Sequence, residues 1–400
     1  MEDEIIAKKK SSLLLKILKV TGALFLFVII AGIAISSIFG NDIKQLVVRE
    51  INKQLAVEVN VKGEIDFSVL RNFPFASVTF NKVEIKESYK GSKSNLLESE
   101  KISLLFNILD LWRGNYTIQK IIVGKGKLTI SINEAGVGNY FIFKTGTNAS
   151  TDELTVKIDK IELSDLETKF IDDEQQQFYE FQIHDGIING EFGAEVLKLN
   201  LKSSLLCRHL FVSSDDYLLN KELKINTELN LNLKDEEYGF TNTAIEVENF
   251  SFSTSGKVKQ KKYSTFIDLT FTGNQVGIES FAGILPEQYA KYLKEYNSNG
   301  TLVLQGRING DYSSKKKPDI SFAFSVKDAT ISNSAVDAKF EHVNFNALFS
   351  NGTARNLFSS KISLKNASAF INGKHINLKK IRPLKLSAYI VLQLRNIIMK

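Results

Sequence analysis

The chain has 400 residues, of which 43% are hydrophobic and 24% charged, and its formal net charge is +6. This length allows two or three ordinary domains or one long repetitive one, and the composition excludes a disordered chain and a polytopic membrane protein. The modest charge argues against a dedicated nucleic-acid binder. A single cysteine, Cys207, cannot form an internal disulfide or a thiolate zinc site, and four histidines offer little for a metal centre.

The first informative segment is an uncharged run at Val20–Phe39, preceded by lysines at positions 8, 9, 10, 16 and 19. Its 20 residues would span about 30 Å as a helix, which is the thickness of a bilayer's hydrocarbon core. The positive-inside rule then predicts a cytoplasmic N-terminus at 1–19, a membrane anchor at 20–39 and a body beyond Asn41 on the other side. A cleaved signal peptide, with Gly32-Ile33-Ala34 as its site, and a buried core helix are the alternatives.

After the anchor, apolar spacing of three and four residues predicts an amphipathic helix over Asp42–Leu55. The body then alternates apolar and polar residues with a period of two, which predicts half-buried antiparallel strands. These predicted strands are Lys127–Asn133, Leu154–Leu163, Leu197–Lys202, Leu223–Lys234, Phe266–Phe271, Thr301–Ile308, Asp319–Lys327 and Lys361–Lys365. Within this alternating region, helices are predicted only at the end of Leu96–Trp112, which passes from strand to helix, and over Ile278–Tyr296, where Pro286 divides the pattern.

Motifs that carry chemistry are missing from the sequence. No phosphate-binding loop or nucleophile elbow occurs, and we interpret Gly124-Lys125-Gly126 as a structural turn. Cys207 and His209 are two residues apart, which on a regular strand places them on one face, but no orienting group completes a catalytic set. We interpret Asp172-Asp173-Glu174 as a solvated turn and Lys315-Lys316-Lys317 as a loop between strands, with phosphate or headgroup contact as the alternative. The chain is not expected to be an enzyme or to bind a metal or cofactor.

Several segments, in the same order along the chain, resemble the AsmA family. Phe67–Lys86 resembles its opening strand, Asn-Phe-Pro turn and second strand, and Asn95–Trp112 its second strand pair. Ile118–Tyr140 is similar to its G-x-L-x-I and G-x-x-N-Y segment, and Leu285–Gly310 to its short helix, glycine turn and strand. The resemblance covers roughly residues 10–380 and lies in order and topology, since the motifs are degenerate.

The resemblance implies an inner-membrane-anchored periplasmic protein of Gram-negative bacteria, similar in build to TamB and the bridge-like lipid-transfer proteins. The expected fold is mainly β: an N-terminal transmembrane helix, then a long twisted antiparallel sheet over 41–380 curled into an apolar groove, with a few short helices. The family's members are commonly longer, so residues 381–400 are interpreted as a truncated or atypical tail. Candidate groove residues lie on three alternating strands: Leu128, Ile130, Ile132, Leu229, Leu231, Leu233, Ile320, Phe322 and Phe324.

Three functions remain open at this stage. The first is outer-membrane lipid homeostasis, in which the groove binds or conducts phospholipid acyl chains. The second is a non-enzymatic scaffold for outer-membrane protein biogenesis, with envelope assembly proteins as partners. The third is a membrane-anchored enzyme or glycan binder. Phospholipids and the inner membrane are the expected partners, and nucleic acid is not.

Overall fold

The computed structural model describes residues 49, 51, 55–113, 116–142, 154–192, 195–212, 215–247, 250–278, 296–313, 315–333, 338–380 and 384–385. The described chain is mainly β, mostly antiparallel and almost without helix, which confirms the predicted fold class at that level. Within these residues no helix has the length and apolar character needed to cross a bilayer. The predicted anchor at Val20–Phe39, most of the helices predicted at Asp42–Leu55 and Ile278–Tyr296, and most of the 381–400 tail lie outside the described residues.

The chain divides into two compact units. Unit 1 comprises residues 1–126 and 141–158, and unit 2 comprises residues 127–140 and 159–400. In unit 1, β3 pairs with β1, β2 and β4 in antiparallel ladders. Its elements are β1 (Val59–Val61), β2 (Ile65–Asn72), β3 (Phe75–Lys86), β4 (Asn95–Asn107), the short helix α1 (Ile108–Trp112) and the first part of β5 (Tyr116–Ile132). The strand-to-helix passage predicted within Leu96–Trp112 is therefore confirmed.

Unit 2 contains the long strands. From β6 onward each strand pairs antiparallel with the next long one, with β8 pairing with both β9 and β10 and β17 with both β18 and β19. The strands are β6 (Leu154–Asp172), β7 (Gln177–Phe192), β8 (Val196–Val212), β9 (Asp215–Asp216), β10 (Lys221–Asn232), β11 (Glu237–Val247), β12 (Phe250–Lys261), β13 (Ser264–Gly277), β14 (Tyr296–Tyr312), β15 (Asp319–Asn333), β16 (Ala338–Ser350), β17 (Lys361–Ile371), β18 (Lys374–Lys380) and β19 (Leu384–Lys385). A 3-10 turn at Leu357–Ser359 lies between β16 and β17.

Side-chain alternation gives this sheet one apolar and one polar face. In β10, Leu223 is buried and Ile225 and Leu229 are half-buried, whereas the intervening Lys224 and Glu228 are exposed. Strands of this kind are stable because successive side chains point to opposite faces, so a period of two buries the apolar set together. We call the two surfaces of the unit 2 sheet the apolar face and the polar face.

Most strands are longer than the alternation predicted, because β-bulges reverse the parity of the alternation; β10 is an exception. Gly124-Lys125-Gly126, predicted as a turn, lies inside β5, and Lys125 has a left-handed φ of 45°. In β8, Cys207 pairs with Phe181 and His209 with Glu180, so one extra residue is inserted between them. Because Phe181 and Glu180 are adjacent, Cys207 and His209 lie on opposite faces, and the prediction that they share one was wrong.

Buried side chains form one core cluster in unit 1 and two in unit 2. Phe106 and Val78 are fully buried in the first, between β3 and β4. In unit 2, Leu205, Cys207, Leu223 and Val247 form one cluster, and a second surrounds Phe250. Phe252 packs against both clusters in unit 2, so they continue into each other on the apolar face.

Strands β5 and β6 are aligned by contacts at equivalent places near their C-terminal ends. The Lys127 ammonium lies 3.8 Å from the Glu167 carboxylate, and the Asp173 N–H donates to the Ile132 carbonyl. The two strands therefore run in the same direction here, in contrast to the antiparallel ladders. A loop that follows β5 is held by Asn139, which is fully buried.

Candidate functional site

The predicted groove residues lie on β5, β10 and β15 of unit 2, and eight of the nine are half-buried. Leu233 is the exception, since β10 ends at Asn232 and Leu233 is 47% exposed in the turn that follows. Asn232 starts this turn, because its Oδ1 accepts the Asp235 N–H and its side-chain amide donates to the Asp235 carboxylate. For the same reason Asn232 is half-buried, whereas Asn230 is exposed on the polar face as predicted.

Cross-strand pairing connects the candidates on β10 with those on β15. In the first row, each residue pairs with the next one on the neighbouring strand. The row is Leu229, Phe240, Gly256, Leu269, Ile308 and Ile320. A second row places Gly306 between Phe271 and Phe322. These rows make the apolar face continuous from β10 to β15.

Gly306 has a specific role in the second row. A Cβ placed on this residue would lie 2.3 Å from the Phe322 ring. Real side chains do not approach so closely, and the Phe322 ring therefore occupies the space above the glycine. The row is thus filled by aromatic side chains from the neighbouring strands.

Two parts of unit 2 that are far apart in the ladder also contact each other across the apolar face. The β6–β7 turn reaches the start of β13, where the Gln175 side-chain amide donates to the Thr265 hydroxyl at 3.1 Å. Thr265 also donates to Gln260, on the strand beside it. A contact between strands that are so far apart in the ladder requires the sheet to curl, and bulges in the β7–β8 ladder supply bending at His184 and Arg208.

The end of the curl is polar, and the sequence did not predict it. Burial raises the pKa of Tyr179 to about 12, and the nearby charges of Tyr312 and Asp172 act in the same direction. Asp172 is only 4% exposed, and desolvation raises its pKa although it accepts the Gln175 N–H. The pKa of Tyr238 is likewise raised by burial. The interpretation of Asp172-Asp173-Glu174 as a turn was right, but Asp172 itself is not solvated. Alternation identifies strands and gives no signal for contacts across a curled sheet.

Beside these polar groups, the apolar face stays accessible. Leu229, Leu231 and Phe240 are all half-buried, as are Ile308 and Ile320 further along the rows. A well-packed core would bury such side chains almost completely. The surface can therefore accept apolar material along several strands.

The polar face offers a contrasting surface. A shallow open depression of about 800 Å³ lies across β10–β14, and its floor includes Asn230, Gly239 and Thr270. Charged side chains around it pair with each other: Lys257 lies 3.2 Å from Glu237, and Arg307 lies 3.1 Å from Asp268. Such exposed pairs contribute little to stability, and they leave the depression without unpaired charge concentrated at one point.

Chemical groups suited to catalysis are not brought together in the part of the chain that the structure describes. Cys207 is fully buried, and burial raises the pKa of its thiol to about 12, which disfavours the reactive thiolate. His209 pairs with Asp216 at 2.8 Å on the opposite face. Among the described residues, no group of three or more potential ligands could hold a metal ion.

No family model, curated protein or solved structure matches this chain. The resemblance to the AsmA family therefore stays a prediction from the sequence segments.

Proposed function

We propose that the chain is an AsmA-like, inner-membrane-anchored envelope protein that binds phospholipid acyl chains along the apolar face of unit 2, in support of outer-membrane lipid homeostasis. The observation that carries this proposal is the continuous set of half-buried apolar side chains between Leu229 on β10 and Ile320 on β15. The contact between Gln175 and Thr265 supports a curled groove, because it closes the sheet over one end of this face.

The energetics of such binding need no special residue. Each methylene moved from water to an apolar surface gains about 0.8 kcal/mol, so a few methylenes outweigh one ordinary hydrogen bond. An acyl chain has no hydrogen-bonding groups and matches side chains such as Leu231 and Phe324. A phosphate headgroup would stay outside, since burying an unpaired charge on this face is costly.

Photo-crosslinking tests the proposal in cells. A photoreactive amino acid is placed at Ile130, Leu231 or Phe324, with Asn230 on the polar face as the matched control. Lipid adducts at all three groove positions and none at Asn230 are expected for a continuous conduit. Adducts at one position would indicate a local pocket. Adducts at none, with the protein functional, would refute lipid binding and leave the assembly scaffold as the better hypothesis.

A further inference from the structure

Three loops at one end of the unit 2 strands form a surface that the groove does not use. They are Lys261–Ser264 between β12 and β13, Lys315–Pro318 between β14 and β15, and Asn351–Ser360 between β16 and β17. We call these the edge loops. Together they contain six cationic residues and no acidic one: Lys261, Lys262, Lys315, Lys316, Lys317 and Arg355.

Salt bridges and hydrogen bonds join the edge loops into one surface. The Asp311 carboxylate, at the end of β14, lies 2.6 Å from the Lys261 ammonium and 3.7 Å from that of Lys316. Arg355 donates to the Lys317 carbonyl at 3.0 Å. The buried Asn351 donates to the Pro318 carbonyl at 2.9 Å. These contacts hold the three edge loops next to one another.

Two apolar side chains project from this basic surface. Tyr263 is 73% exposed and Phe358 is 75% exposed, which makes them the two most exposed large hydrophobic side chains in the described residues. The Lys262 ammonium lies over the Tyr263 ring, 5.0 Å from its centroid. Single exposed aromatic side chains are common on protein surfaces. Here they lie among lysines, and an anionic lipid surface binds both groups, because its phosphates attract the lysines and its interfacial region accepts the aromatic rings.

Acidic residues border the edge loops, and the β10–β11 turn, with Asp235 and Glu236, adjoins them where the Gln260 N–H donates to the Glu236 carbonyl. Asp311 is paired with two of the lysines, and Asp319 follows Pro318 at the start of β15. Asp173 and Glu174 lie in the turn that reaches Thr265 through Gln175. Lys361, exposed at the start of β17, adds a further cation on the other side of Asn351–Ser360.

We propose that the edge loops dock unit 2 on the surface of an anionic phospholipid bilayer. The lysines would lie at the headgroup level, and Tyr263 and Phe358 would enter the interfacial region beneath it. Long lysine side chains suit this position because their apolar stems lie along a surface while the ammonium stays among the phosphates. The proposal goes beyond acyl-chain binding and does not depend on it, since the edge loops lie outside the candidate groove residues.

The test uses the full chain held in phosphatidylcholine nanodiscs and mixed with added vesicles. Vesicles of phosphatidylcholine with phosphatidylglycerol should bind and float the protein, and vesicles of phosphatidylcholine alone should not. Binding should weaken as salt is raised, because the attraction is screened over about 10 Å at 0.1 M salt. Changing Lys262, Lys315 and Lys317 together to Ala should weaken the affinity for anionic vesicles about 100-fold, because each lost cation weakens it roughly fivefold.

Matched variants separate docking from general charge and from folding. Lys198, Lys202 and Lys224, exposed on the polar face, are changed to Ala as the charge control and should bind like the unchanged protein. The pair Tyr263→Ser and Phe358→Ser should weaken binding with the net charge unchanged, whereas Ser at the 62% exposed Leu109 and Phe141 of unit 1 should not. Circular dichroism confirms that each variant is folded.

Equal losses in the edge and control lysine variants would overturn the proposal, as would absence of binding to anionic vesicles. In the second case an acidic protein would be the better partner for the same surface. Vesicle flotation does not measure lipid adducts inside the groove, so the docking proposal and the acyl-chain proposal can each be refuted without the other.

Discussion

Replacing Leu231 by Asp tests whether β10 presents its apolar side chains to a curled interior. Leu231 is half-buried and lies in register between Leu197 on β8 and Tyr238 on β11. Fully burying a leucine contributes about 1.5–3 kcal/mol, so losing a half-buried one costs about 1 kcal/mol. A carboxylate at this position loses part of its hydration without a partner, which adds about 1–2 kcal/mol. The expected decrease in the free energy of unfolding is therefore roughly 2–3 kcal/mol.

Urea unfolding followed by circular dichroism measures this decrease. Asn230→Asp is the matched control, because Asn230 is the preceding residue, exposed on the polar face, and a surface change of this kind stays within about 0.5 kcal/mol. Asn232 is unsuitable, since its side chain bonds to Asp235. Leu231→Asn removes the same apolar contact without adding charge, so the difference between the Asp and Asn variants isolates the charge.

The charge component should also depend on pH. Burial raises the pKa of a carboxyl group, so the Asp variant should approach the stability of the Asn variant as the pH falls and the carboxyl group protonates. If the variants at Leu231 and Asn230 lost the same stability, the assignment of the two faces would be refuted. A pH-independent gap between Leu231→Asp and Leu231→Asn would show that the introduced group stays hydrated.

Three further predictions concern buried polar groups. Burial raises the pKa of Asp172, so ionisation of this carboxyl group destabilises the folded state once the pH rises above the ordinary pKa of 3.8. Asp172→Asn removes that destabilisation and should therefore raise the urea midpoint at neutral pH. Below pH 3.8 the carboxyl group is protonated in both states, and the variant should have no stability gain. Its Oδ1 can still accept the Gln175 N–H; a gain that does not change with pH would contradict this reasoning. Cys207, with its pKa raised to about 12, should resist thiol reagents in the folded protein and react fully in urea; rapid labelling without denaturant would show that it is accessible. Asn139→Ala should cost roughly 2–4 kcal/mol in urea unfolding, because the Asn139 amide bonds to the backbone of Thr129 and Ser131 and both groups would lose a partner; a loss below about 1 kcal/mol would indicate that water replaces it.

The sequence predicted strand character well because alternation directly reflects two-faced burial. The predicted strand at Asp319–Lys327 begins where β15 begins, but β15 continues to Asn333. Asp328, with a φ of 50°, forms a bulge immediately after the predicted end, and the apolar side chains resume with the opposite parity. A simple period of two ends at such a residue even though the strand does not.

Other features could not be read from local sequence. Glycine and left-handed residues occur in turns and in bulges alike, so Lys125 was placed in a turn although it lies within β5. The contact between Gln175 and Thr265 depends on accumulated curvature over several strands, which alternation does not encode. The alternating faces of β10 and β15 could be predicted, but the polar end of the curl could not.

The bulges have a consequence for how these long strands find their partners. An alternating strand that slides by two residues keeps all its apolar side chains on the same face, so alternation alone barely distinguishes the correct alignment from its neighbours. A bulge has only one position opposite its partner strand, and Asn242 and Asp328 mark such positions with φ near 50°. Sliding by two residues would oppose the extra residue to a regular pair and break ladder hydrogen bonds. The irregular residues thus select one alignment among many that would otherwise be nearly equal in free energy.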